Sequence, residues 1–174
     1  MPVTTGSKLQ YEYMIGGGSP MLITAVAQTD TTGYIAGMPM QFDATGEWCR
    51  AATGQLGPSA NFADGIATHG YPGASENQTC VLITPHTVFS AVVAHATTAS
   101  AVTGSTLIGN TYPIESCATL GPASSGTFQM GIASTDESGG FVIGLKDPAG
   151  TAYGRVYFIF QRTYSTESPF YAAT

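Results

Sequence analysis

Charge is what this sequence has least of. Asp, Glu, Lys and Arg make up 9% of its 174 residues, against roughly 25% in an average soluble protein. The five basic residues, Lys8, Arg50, Lys146, Arg155 and Arg162, form no stripe that could neutralise several phosphates. A net charge of −6 adds to the case against nucleic acid and against an anionic membrane surface as partners. Long apolar runs are missing too. Mean hydropathy is +0.12, and no uninterrupted apolar stretch approaches the ~20 residues of a spanning helix. Cysteine is sparse and odd in number: Cys49, Cys80 and Cys117 lie far apart in strand-like surroundings. Three buried thiols in a reducing compartment fit this better than a disulfide framework. The opening residues, Met1 to Gly6, show no basic segment leading into an apolar one, so no secretory signal is expected. The sequon Asn77-Gln78-Thr79 therefore carries no weight.

Catalytic patterns are equally scarce. His69, His86 and His95 occur in no His-x-His, His-Glu-x-x-His or Cys-x-x-Cys setting, so zinc spacing is absent. Gly73-Ala74-Ser75-Glu76-Asn77 lacks the final glycine of a nucleophile elbow. Gly16-Gly17-Gly18 is followed by Ser19-Pro20, not by the Lys-Ser/Thr of a phosphate loop. The one tight acidic spot, Asp136-Glu137, reads as a turn without the ligand spacing of a calcium loop. These readings assign no catalytic, cofactor or metal residue, and no enzymatic activity.

What is abundant is the material of a β protein. Eight Phe, nine Tyr and one Trp supply core bulk, and 22 Gly with 10 Pro punctuate short apolar runs. Strands are predicted over Met21–Val26, Met38–Asp43, Glu47–Arg50, Gly65–Thr68, Cys80–Thr84 and Val88–Ala94, the last favoured as strand by its β-branched and aromatic content. Phe141–Lys146 and Arg155–Phe160 flank Asp147-Pro148-Ala149-Gly150, whose Asp-Pro-x-Gly chemistry predicts a hairpin. No sustained i, i+3, i+4, i+7 stripe occurs. The fold class is all-β, a small barrel or sandwich.

Residues 1–20 form an expected N-terminal arm. Leu9, Tyr11, Tyr13 and Ile15 alternate so as to share one face, and Gly16, Gly17 and Gly18 make a hinge. Such a strand either adds to a neighbour's sheet edge or closes an edge of its own sheet. Residues 21–174 form the β domain, with two related lobes suggested at 21–100 and 101–174. The suggestion rests on an echo: Gly37 to Ala44 leads to Gly65-Ile66-Ala67-Thr68, and Gly109 to Ser116 leads to Gly131-Ile132-Ala133-Ser134.

The run Gly37-Met38-Pro39-Met40-Gln41-Phe42-Asp43-Ala44-Thr45-Gly46-Glu47-Trp48, followed by a Gly-Ile-Ala segment, resembles the small β-barrel decoration (cement) proteins of tailed-phage heads, the lambda-type family among them. The resemblance covers roughly residues 20–90. It implies a non-enzymatic virion protein on the capsid exterior, made in the host cytoplasm and stabilising the shell by bridging subunits. It further implies the major capsid protein as partner, assembly as a homotrimer, an arm that clamps neighbouring subunits, and no cofactor. Rival readings are a head-fibre or tail component and a carbohydrate-binding β-sandwich stacking sugars on Trp48 or exposed tyrosines.

Overall fold

The computed structural model describes residues 9–29, 33–51, 63–95, 100–116, 128–133 and 139–161. Among them are twelve β-strands, a 3-10 turn at Ser105–Leu107 and no α-helix, so the chain is all-β. The strands are β1 (Gln10–Met14), β2 (Leu22–Val26), β3 (Pro39–Phe42), β4 (Trp48–Arg50), β5 (Gly65–Ala67) and β6 (Asn77–Leu82). There follow β7 (Thr87–Ala94), β8 (Thr111–Tyr112), β9 (Ile114–Ser116), β10 (Phe128–Gly131), β11 (Gly140–Leu145) and β12 (Arg155–Phe160).

Two sheets share these strands. The first runs β2-β6-β5-β3-β4, and an isolated parallel bridge between Ala27 and Trp48 brings its two ends together. The second runs β8-β11-β12-β7-β10-β9. Only Pro113 separates β8 from β9, so they are one strand interrupted where proline has no N–H to give. Because β8 pairs with β11 and β9 with β10, this sheet also closes on itself. Each sheet is thus a small barrel, and a single apolar cluster runs through both. β7, with all eight residues buried, belongs to the second barrel. The boundary between the sheets therefore falls at 83–86, not near residue 100, because the strand after Thr84-Pro85-His86 pairs with β12.

The two barrels are the same structure twice. In each, the first strand pairs antiparallel with the fifth, the fifth with the fourth, the fourth with the second and the second with the third. The third then meets the first in parallel. Registers agree as well. Val26 opposes Asn77, the first residue of β6, and Val92 opposes Arg155, the first of β12. Gly65 lies opposite Leu82 and Met40, and Gly140 opposite Phe160 and Tyr112. Phe42 faces Trp48 as Ile114 faces Met130, and the parallel closures are Ala27–Trp48 and Val93–Met130. Gly37 and Gly109, both at positive φ, donate to Ala67 O and Val142 O at 2.8 and 2.9 Å. The echo of Gly37–Ala44 in Gly109–Ser116 is thus in structural register. Its continuation is not: Gly65-Ile66-Ala67 corresponds to Gly140-Phe141-Val142, whereas Gly131 ends a third strand. A Gly-Ile-Ala match is too short to tell a fourth strand from a third.

Local chemistry explains the turns. The β3–β4 hairpin closes on Asp43, whose Oδ1 accepts from Thr45 N, Thr45 Oγ1 and Glu47 N, with Gly46 at φ +83°. Those donors, the Thr45 hydroxyl foremost, hold the Asp43 carboxyl below its ordinary value. The β11–β12 hairpin is antiparallel as its sequence predicts. Its long loop is tied down by buried Thr103, which donates to Pro148 O at 2.6 Å and accepts Gly150 N at 2.7 Å through its carbonyl.

Candidate interaction surface

β1 is a strand of the chain's own second sheet. It runs antiparallel to β7, with Gln10 opposite Ser90 and Met14 opposite Thr87. It occupies the edge of β7 that β10 uses further along, and β12 takes the other edge. A bulge between Tyr11 and Tyr13 breaks the alternation. Leu9, Tyr11, Tyr13 and Ile15 consequently do not share one face. Leu9 is buried and Tyr11 packs edge-on against Phe89, while Tyr13 and Ile15 are 45% and 47% exposed.

Polar chemistry fastens β1 in place. Two of the five basic residues, Lys146 and Arg155, converge on this point. Glu12 Oε1 accepts from Lys146 Nζ and from Ser90 Oγ. Arg155 donates from Nε to Ser90 Oγ at 3.0 Å and from Nη2 to Ser90 O at 2.9 Å. Its backbone N–H donates to Asp147 Oδ2 at 2.7 Å. Burial pulls the Arg155 guanidinium below its ordinary value, and the negative charges of Glu12 and Asp147 oppose that pull. Charge-assisted bonds around a buried hydroxyl are stronger than neutral ones, so this cluster is a clasp between β1, β7 and β12.

After β1 the chain reverses through Gly16, Gly17 and Gly18, at φ +88°, +83° and +98°. Three successive residues in the region that L side chains avoid make this a turn of defined shape. It is closed by Gly17 N donating to Met14 O at 3.0 Å. The segments on either side of it, running through β1 and β2, carry five of the six exposed large apolar residues of the described chain: Tyr13, Ile15, Met21, Leu22 and Val26. No charged residue lies between Tyr13 and Thr29.

Among the described residues, β2 is open along the first half of one edge. Met21 O accepts Leu82 N, and Ala27 N donates to Glu76 O, so odd-numbered residues bond towards β6. Gln28 N donates the other way, to Trp48 O. The N–H and C=O groups of Leu22, Thr24 and Val26 point to that second side; Val26 meets Trp48 there in the parallel closure, and among the described residues Leu22 and Thr24 face no paired strand. This surface escaped the sequence reading because Met21–Val26 looks like a buried strand. Its only signal was a likeness between Leu22-Ile23-Thr24-Ala25-Val26 and Val88-Phe89-Ser90-Ala91-Val92, two strands with opposite fates.

Other singled-out residues lie apart from this surface. His69 is held by its own loop, Nδ1 against Gly70 O at 2.9 Å. The exposed His86 sits in the β6–β7 turn, its carbonyl accepting Ile15 N. Among the described residues no group of three or more His, Cys, Asp or Glu could hold a metal ion. Cys49 and Cys80 are free thiols, the latter pushed up to about 12 by burial. Cys117, Asp136 and Glu137 lie outside the described residues. Trp48 is fully buried, stacked on Phe42 at 3.9 Å between ring centres, so it cannot be a platform for sugars. No family model, curated protein or solved structure matches the chain.

Proposed function

We propose that this chain is a non-enzymatic structural protein of a phage head, bound to the outside of the expanded shell and bridging major capsid subunits. One observation carries the reading: Tyr13, Ile15 and Met21 are exposed on both sides of the glycine turn, in a stretch of sequence without a charged residue. Contiguous exposed apolar surface marks a place where another protein sits. Burying it stabilises the contact by about 25 cal/mol per Å². Depletion of charge is what the core of a protein interface requires. The resemblance of Gly37–Trp48 to head decoration proteins supplies the kind of partner. A chain with two equivalent barrels suits a lattice of repeated subunits, where many modest contacts stabilise the bound form by mass action.

Binding must discriminate between lattices to have an effect, since equal affinity for precursor and expanded shells shifts nothing. Purified protein added to undecorated expanded shells should bind and raise their melting temperature, while precursor shells stay bare. Because no charged residue lies between Tyr13 and Thr29, binding should survive a few tenths molar salt, where the Debye length falls below about 8 Å. Ile15→Asp combined with Met21→Asp should abolish it. Equal binding to both shells, or release by salt alone, would overturn the reading.

A further inference from the structure

We propose that β1 is an exchangeable strand: the groove it fills along β7 takes β1 of a second copy of this chain as well as its own, and the turn at Gly16–Gly18 decides between them. The inference concerns contacts between copies and stands apart from the shell proposed above.

The first argument is that β1 belongs to neither five-strand barrel. β7 already pairs with β12 and β10 in the pattern that β2 makes with β6 and β4. β1 is added along Thr87–Ser90, the stretch of edge that β10 leaves free. The chain then leaves that barrel, enters β2 and builds the other one. A strand that completes one barrel and leads into the other can join the barrels of two chains as it joins the two within one.

The second argument selects the occupant. Leu9 is buried, and Tyr11 stands edge-on to Phe89 at 6.4 Å between ring centres. Between Tyr11 and Tyr13, Glu12 Oε1 accepts from Ser90 Oγ and from Lys146 Nζ, with Arg155 behind Ser90. The groove therefore asks for a carboxylate between two tyrosines at a bulge. A second copy carries that sequence, and its β1 would remake each of these contacts.

The third argument is the joint. Pairing within one chain requires a reversal between Ile15, whose N–H donates to His86 O, and Met21, whose carbonyl accepts Leu82 N. Positive φ at three successive glycines makes that reversal. Drawn out, the six peptide units from Ile15 to Met21 reach about 20 Å, enough to carry β1 to a copy lying alongside. Exchange of an identical element is a low-cost route to assembly. A short linker holds its own strand at an effective concentration in the millimolar range, so exchange sets in where copies are crowded to about that level.

Gly16→Val with Gly17→Val tests the joint. A Cβ at either position meets nothing within 4 Å, so the substitutions act through backbone angle alone. A β-branched residue at positive φ disfavours the closed turn about tenfold, and an extended linker carries no such penalty. The pair should lower the concentration for exchange about a hundredfold, to roughly 10 μM, where sedimentation should show an oligomer.

A cross-link shows whose strand is paired. Chains carrying Tyr13→Cys are mixed with chains carrying Val88→Cys, register partners within disulfide reach. With the valine turn, oxidation at about 10 μM should join the two kinds of chain, and each kind alone accounts for the native cysteines. With the glycines intact, the same link should need about a hundredfold more protein. Both cysteines placed in one chain and oxidised lock β1 at home, and that chain should stay monomeric even with the valine turn. A valine variant that remains a monomer, with β1 either closed or cleaved away by protease, overturns the proposal. So does a mixture that forms no link between Tyr13→Cys and Val88→Cys, or a locked chain that assembles as the unlocked one does.

Discussion

Thr24 and Ser90 are equivalent hydroxyl residues on the first strands of two equivalent barrels, and they have opposite surroundings. Ser90 is fully buried between Glu12 and Arg155, with β1 laid along its strand. Thr24 is exposed, its Oγ1 bonded to Thr79 Oγ1 at 2.7 Å on the neighbouring strand. One barrel has been completed by a strand from outside its own five, and the other has not. The difference lies in which edge the segment before β2 covers, because the barrels agree in strand order and register.

The clasp on β1 is a load that can be removed one atom at a time. Ser90→Ala takes away the hydroxyl that joins Glu12 to Arg155 and leaves both charged groups short of a partner in a buried place. The expected loss is about 1–3 kcal/mol, the cost of an unmet bond at a charged group. Denaturant unfolding should show it, and limited proteolysis should show faster cleavage within residues 9–18 than in the barrels. Deleting residues 1–15 is a harsher change, since it removes Leu9 and Tyr11 from the core along with Glu12. Wild-type resistance in Ser90→Ala would mean that apolar packing alone holds β1.

Gly65 and Gly140 occupy matching positions inside their barrels, and both are there for want of space. A Cβ on Gly140 would stand 2.5 Å from Phe158 Cδ2 and 2.7 Å from Met130 Cε. On Gly65 it would stand 2.9 Å from Cys80 Cβ and 3.0 Å from Trp48 Cη2. Alanine at either site should cost about 1–3 kcal/mol through overpacking. Gly144→Ala is the control, because the nearest atom there is 3.7 Å away. Thermal melts of the three variants check this, and equal melting temperatures would refute it.

How much of this was legible in the sequence depends on the residue. The Asp43 and Asp147-Pro148 turns were plain, because local side-chain chemistry makes them. Strands β2, β3, β4, β5, β7, β11 and β12 showed in runs of apolar and β-branched residues. β8, β9 and β10 did not, since Thr111-Tyr112 and Ile114–Ser116 are too short to show a period. The face of β1 was misjudged because a bulge, which composition does not announce, shifts every later side chain. The open half-edge of β2 was hidden for a deeper reason. Leu22–Val26 and Val88–Val92 share one pattern, two apolar residues, a hydroxyl residue, alanine and valine, and only tertiary pairing decides which is covered.

Trp48 offers a third test. Its indole is enclosed at the closure of the first barrel, and Nε1 finds no hydrogen-bond partner among the described residues. Trp48→Ala should cost about 3–5 kcal/mol, the usual price of a large core deletion. Trp48→Phe should cost clearly less, because it retains the stack on Phe42 and removes an unmet donor. Chemical denaturation of both variants decides the order, and a Phe variant as unstable as the Ala variant would show that Nε1 is satisfied after all.

Glu115 gives a pH dependence with a definite sign. It sits on β9 opposite Gln129, and its carboxylate lies over Gly131, where a Cβ would come within 2.5 Å of Oε1. Burial without a compensating cation pushes its carboxyl above the ordinary value of 4.5. The folded state therefore holds this proton more tightly than the unfolded chain does. Its contribution to stability is complete below pH 4.5 and is lost as pH rises through the folded-state value. Glu115→Gln keeps the shape and removes the charge, so it should raise the melting temperature at pH 7 and leave it nearly unchanged below pH 4.5. Gly131→Ala, by contrast, meets only the flexible end of that side chain, which can swing out to water, so its cost should be small at either pH and least at pH 7, where burial of the carboxylate is unfavourable. Melting curves of the two variants across pH 3.5 to 8 separate these outcomes, and a Glu115→Gln variant less stable than wild type at neutral pH would show that the carboxylate is held by a favourable contact.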